Sequence, residues 1–98
     1  MTITEKRQGT ELTLAIEGRL DTTNFKELEQ KVQSGIDGVE FLVMECSGLE
    51  YISSAGLRAM LAAQKAMNKQ GKMVVRGANE NVMEIFELTG FTKVLTIE

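Results

Sequence analysis

The run Phe41-Leu42-Val43-Met44, four apolar residues in succession between two segments of helical pattern, constrains this chain more than any other feature. A strand with one wet face alternates, whereas an unbroken apolar run reads as a central strand covered on both faces. Its flanks agree. Upstream, Asp21-Thr22-Thr23-Asn24 is dense in N-cap residues, and Asn24 precedes Glu27 by three, the spacing of a capping box. Phe25, Leu28 and Val32 then form one helical stripe, with Gly35 as the expected left-handed stop and Ile36 folding back over the last turn. Downstream, Ser47 to Ser53 reads as a loop, and a second helix is predicted from about Ser54 to Gln70, closed by Gly71.

The remaining segments extend the same alternation. Thr2 to Arg7 is a short, weak strand, Gln8-Gly9-Thr10 a turn, and Glu11 to Glu17 places Leu12, Leu14 and Ile16 on one side. Lys72 to Arg76 is a further strand around Met73, Val74 and Val75. Asn79 is positioned to cap a third helix carrying Val82, Ile85 and Phe86 and stopped at Gly90, and Lys93 to Ile97 reads as a last strand. The order β-β-α-β-α-β-α-β predicts an α/β fold. It is one small domain over residues 1–98, a mixed sheet with an N-terminal hairpin plus parallel strands, covered by three to four helices. The methionines at 44, 60, 67, 73 and 83 are expected as core filler.

What the chain lacks narrows its chemistry. It has no histidine and a single cysteine, Cys46, so Ser-His-Asp and Cys-His catalysis and the usual His or thiolate zinc cages are closed to it. Neither GxGxxG nor GxxxxGK occurs. With 11 basic against 14 acidic side chains and no basic stripe, capture of nucleic acid or anionic lipid is not expected. No apolar stretch approaches the ~18 residues that span a bilayer, and nothing at the N-terminus resembles an export signal. A lone cysteine agrees with a reducing compartment. The expectation is a cytoplasmic, non-catalytic protein without metal or cofactor, monomeric when free.

The segment from Glu45 to Arg58 carries the functional signal. It leaves the carboxyl end of the apolar strand and enters a helix, where open α/β sheets place their sites. Ser53 and Ser54 stand at the helix start, whose unpaired N–H groups and positive dipole favour an anion. On spacing alone, N-capping is the commoner reading of such serines. Gly56 early in a helix costs about 1 kcal/mol relative to alanine, and a close backbone approach is a reason to keep it.

The loop Leu49-Glu50-Tyr51-Ile52-Ser53-Ser54-Ala55-Gly56-Leu57 resembles the signature of the STAS domain family, the anti-sigma factor antagonists of bacteria. Gly18-Arg19-Leu20-Asp21, Lys72-Met73-Val74-Val75 and Phe86-Glu87-Leu88-Thr89-Gly90-Phe91 match in the same order. The resemblance implies Ser54 as phosphoacceptor, with Ser53 where the family usually has aspartate. It also implies a contact surface on Asp21, Thr22, Thr23, Ser53, Gly56, Leu57 and Arg58, reaching Thr89-Gly90. The implied partners are an anti-sigma factor that is also a serine kinase, bound when the serine is free and released by phosphate, and a PP2C-type phosphatase that reverses it.

The residues taken alone leave blander readings open: helix capping for Asp21 to Thr23, core packing for Leu57, Met60, Leu61 and Gln64, and a solvated charge for Arg58. Within the resemblance, a second role is an accessory domain of a transporter that uses the same helix without phosphate.

Overall fold

The computed structural model describes residues 1–98. Strand β1 (Thr2–Gln8) turns at Gly9, whose φ of 61° is left-handed, and pairs antiparallel with β2 (Glu11–Leu20). Helix α1 (Phe25–Gly35) crosses to β3 (Phe41–Ile52), and α2 (Ser54–Asn68) crosses to β4 (Lys72–Arg76), both strands lying parallel to β2. The four-stranded sheet has the order β1-β2-β3-β4. Helix α3 (Glu80–Leu88) and a short 3-10 turn at Phe91–Lys93 complete the chain. The predicted mixed sheet with an N-terminal hairpin and parallel crossovers is therefore observed.

One contiguous core forms between the sheet and the helices. The sheet contributes Leu12, Leu14, Ile16, Leu42, Met44, Met73 and Val75. Against them lie Leu28 and Val32 of α1, Leu57, Met60, Ala63 and Met67 of α2, and Val82 and Phe86 of α3. Each fully buried Leu, Ile or Phe contributes roughly 1.5–3 kcal/mol relative to exposure. Met44, Met60, Met67 and Met73 are core residues as expected, and Met83 is half-buried against the same cluster. Cys46 is part of the cluster too, and burial pushes its thiol up to about 12.

The apolar run of β3 is buried on both faces, as expected: all three helices join the cluster with Leu42 and Met44, while Val43 and its cross-strand partner Val74, also buried, lie outside that cluster on the opposite face. Arg76 supplies cover there, its guanidinium 5.8 Å from the Phe41 ring centroid and its Nε donating to Glu98 Oε1 at 2.6 Å. Ser47 to Ile52 is not a loop but the continuation of β3, paired with β2 through a register shift between Ala15 and Glu17. The expected last strand is reduced to one bridge, Ile97 to Val75, because Phe91–Lys93 closes into a 3-10 turn.

The helix ends differ in detail. Asn79 caps α3 through Val82 N–H at 2.9 Å and the helix stops just before Gly90, both as read; Gly90 is left-handed with φ 77°. Gly35 is not the left-handed stop of α1; that conformation falls on Gly38. Gly71 closes the turn after α2 with negative φ, and its constraint is steric. A Cβ there would lie 2.0 Å from the Glu40 carbonyl oxygen, which accepts Lys72 N–H at 2.9 Å.

Candidate functional site at the carboxyl ends of β2 and β3

Parallel strands deliver their carboxyl ends to one edge of a sheet, and here β2 and β3 end on the paired residues Leu20 and Ile52. The pairing passes directly into the loops, because Ser53 N–H donates to the Leu20 carbonyl at 2.9 Å. Two segments singled out in the sequence, Asp21–Asn24 and Ser53–Arg58, thus begin side by side.

The first segment is a closed knot of short polar side chains. Asp21 Oδ1 accepts from Thr23 N at 2.9 Å and from Thr23 Oγ1 at 2.6 Å. Hydrogen bonds from Thr23 hold the Asp21 carboxyl below its ordinary range, with Arg19 adding a smaller attraction. Asn24 does not form the expected capping box. Its Oδ1 accepts from Asp21 N at 2.9 Å and its Nδ2 donates to Arg19 O at 2.8 Å, so the side chain braces the turn rather than the helix. Thr22 and Thr23 remain exposed.

The second segment divides its two serines. Ser53 is the N-cap, extended at φ −92° and ψ 175°, and its Oγ accepts from Gly56 N–H at a long 3.4 Å. Ser54 is the first helical residue, exposed, and its hydroxyl makes no hydrogen bond within the protein. Its backbone N–H and that of Ala55 have no carbonyl partner, as the first turn of a helix requires. Gly56 is explained by a close approach: a Cβ there would meet Ile52 Cγ1 and Leu20 Cγ at 2.8 Å and the Leu20 carbonyl oxygen at 3.0 Å.

The site residues read from the sequence therefore fall into two kinds. Gly56 and Leu57 are buried and shape the helix start, whereas Thr22, Thr23, Ser54 and Arg58 are exposed around it. Gly90 ends α3, with its hydrogen bonds running to Glu87 and from Lys93. Sequence reading missed Arg19 and Tyr51 beside the knot, where the guanidinium stacks on the exposed ring 4.3 Å from its centroid. Arg19 and Tyr51 are cross-strand partners, a relation visible only once the strand register is known. Asn79 was read as a cap alone; its Nδ2 also donates to Leu49 O at 3.0 Å, holding α3 against the outer part of β3.

Comparison with known proteins agrees with this arrangement. The family model described as STAS domain matches residues 2–98. The candidate anti-sigma factor antagonist BtrV of Bordetella bronchiseptica is 32% identical over 88 residues, covering 88% of this chain and 76% of that protein. An anti-sigma factor antagonist from Mycobacterium paratuberculosis superposes with a TM-score of 0.88 at 22% identity, over 98% of this chain and 83% of that one. The phosphorylated form of the Bacillus cell fate determinant SpoIIAA gives 0.77 at 13% identity, over 99% and 91%. The murine anion transporter Slc26a9 contains the same fold, with 0.75 at 17% identity over 90% of this chain and 15% of the transporter. No helix of this chain is long and apolar enough to cross a membrane.

Proposed function

Since this chain belongs to the STAS domain family and is related to anti-sigma factor antagonists, we propose that it is a protein-binding module switched by a phosphate on Ser54. The observation that carries the reading is the division of labour between the serines. Ser53 uses its hydroxyl as the helix cap, while Ser54 presents a free, exposed hydroxyl at the positive end of α2. In this reading the unphosphorylated chain binds an anti-sigma factor that is also a serine kinase, and so frees a sigma factor. Thr22, Thr23, Ser54 and Arg58 form the contact face, and Asp21, Ser53, Gly56 and Leu57 hold it in shape. The protein acts in the cytoplasm of a bacterium as a monomer when free, without catalysis of its own.

The phosphoryl group comes from a nucleoside triphosphate held by the partner. Ser54 Oγ bonds to the γ-phosphorus, the bond to the bridging oxygen breaks, the diphosphate leaves, and the hydroxyl proton passes to a base of the kinase. Phosphate adds about −1.5 to −2 charges. The helix start tolerates them, but a partner packed over the same spot must desolvate them, so binding weakens while the fold is kept. A PP2C-type phosphatase restores the binding form.

The test is incubation with the cognate serine kinase, followed by mapping of the modified residue by mass spectrometry. Ser54 is the expected acceptor. Ser54→Ala binds the kinase constitutively and Ser54→Asp binds it poorly. Phosphate on Ser53 shifts the acceptor by one residue. If neither serine is modified and Ser54→Asp binds like the wild type, the switch fails and an accessory role in a transporter takes its place.

A further inference from the structure

Helix α2 carries the charged residues Arg58 and Lys65 and no acidic residue, in a chain of net charge −3. Arg58 follows Ser54 by four positions, so the two side chains rise from one exposed face with Cβ atoms about 5–6 Å apart. The other three arginines are engaged. Arg7 donates to the carbonyls of Gly9, Gly35 and Asp37. Arg19 stacks on Tyr51 beside Asp21, and Arg76 is paired with Glu98. Arg58 alone has neither an ion pair nor a hydrogen bond.

We propose that Arg58 is a positioning residue that closes over the phosphate on Ser54. This rests on the reading of Ser54 as phosphoacceptor and deepens it. A phosphoserine at the first helical position presents three acceptor oxygens to the unpaired N–H groups of Ser54 and Ala55 from below and to a guanidinium fork from above. The pairing neutralises part of the new charge within the chain itself. It also withdraws the one uncommitted arginine from the contact face. Phosphorylation then acts twice on a partner whose surface sets a carboxylate against Arg58: it adds an anion and removes the cation that the carboxylate met.

The experiment needs no kinase. Phosphoserine is placed at position 54 during translation, and the Arg58 Nε–H and phosphorus resonances are followed by NMR. In the phosphoserine protein the Arg58 Nε–H resonance is expected to move and to exchange more slowly than in the unmodified chain. Arg58→Ala moves the phosphorus resonance, Arg58→Lys restores it in part, and a broad-specificity alkaline phosphatase releases phosphate roughly two- to fivefold faster from Arg58→Ala, the scale of one exposed ion pair. An Arg58 Nε–H unchanged by phosphoserine overturns the clamp. So does an Arg58→Ala protein whose phosphorus resonance and release rate both equal those of the wild type. Because the phosphate is installed without a kinase, failure of the clamp is separate from failure of Ser54 as the natural acceptor, which kinase mapping alone decides.

Discussion

Ser53 donates its backbone N–H to the Leu20 carbonyl oxygen at 2.9 Å, and this bond joins the two loops at the point where their strands end. The same oxygen lies 3.0 Å from the place a Cβ on Gly56 would occupy. The start of α2 is therefore seated on the end of β2 by one bond and one missing side chain.

Gly56→Ala should destabilise the protein by up to about 2 kcal/mol. Overpacking against Ile52 and Leu20 costs roughly 1–3 kcal/mol, and the better helix propensity of alanine returns about 1. Urea unfolding monitored by circular dichroism reads the difference. A Gly56→Ala protein more stable than the wild type contradicts the close packing.

Gly71→Ala should cost more, about 3 kcal/mol, although Gly71 is exposed. A Cβ there falls on backbone, 2.0 Å from Glu40 O, where no rotamer change gives relief. The start of β4 must move and lose the Lys72 N–H bond to Glu40. Comparing the two glycine variants by denaturant midpoint tests the order, with Gly71→Ala expected to be the less stable.

The Asp21 carboxyl is held below its ordinary pKa chiefly by the Thr23 side-chain bond. A carboxyl lowered in the folded state adds stability that is complete above the unfolded value of about 3.9 and is lost as pH falls through the folded value. Acid below about pH 4 should therefore loosen this turn. A carbon-detected titration of Asp21 is expected to show its pKa rising toward the ordinary value in Thr23→Val. An unchanged pKa rules out the Thr23 bond as the cause.

Asn79→Ala removes two bonds at once, the cap to Val82 N–H and the donor to Leu49 O. Losing the cap costs about 1 kcal/mol, and leaving a part-buried carbonyl unpaired adds a further ~1. Thermal unfolding should report a loss near 2 kcal/mol, and amide exchange should rise in α3 and along Leu49–Ile52. Asn79→Ser should recover the cap but not the strand bond, so only the exchange along β3 stays fast.

Much of this could be read from local chemistry. Gly9 and Gly90 needed only their own turn, Asn79 its offset to Val82, and the stripe of α2 its period. What escaped depends on neighbours distant in sequence. Ser47, Gly48 and Glu50 look like loop because β4 pairs with β3 only as far as Glu45, leaving the outer stretch paired on the β2 side alone. The register shift near Gly48 also breaks the period of two by which a strand is recognised. Asn24 had two competing uses, and the turn at Asp21 took the side chain that the helix would have used. At the site, the serine pair was legible as a helix start, but which hydroxyl the cap occupies was a matter of geometry.

Cys46, enclosed between sheet and helices, has a consequence for the bench. With its thiol pushed up to about 12, the reactive thiolate at neutral pH is rarer than in an ordinary exposed cysteine by about three orders of magnitude. The chain is in effect silent to maleimide as it stands. One cysteine placed at Thr10, in the exposed hairpin turn at the opposite end of β2 from Ser53, becomes a single attachment point for a dye or a sensor surface. Partner binding and release can then be watched from the far side of the molecule with every native residue of the serine loop left in place.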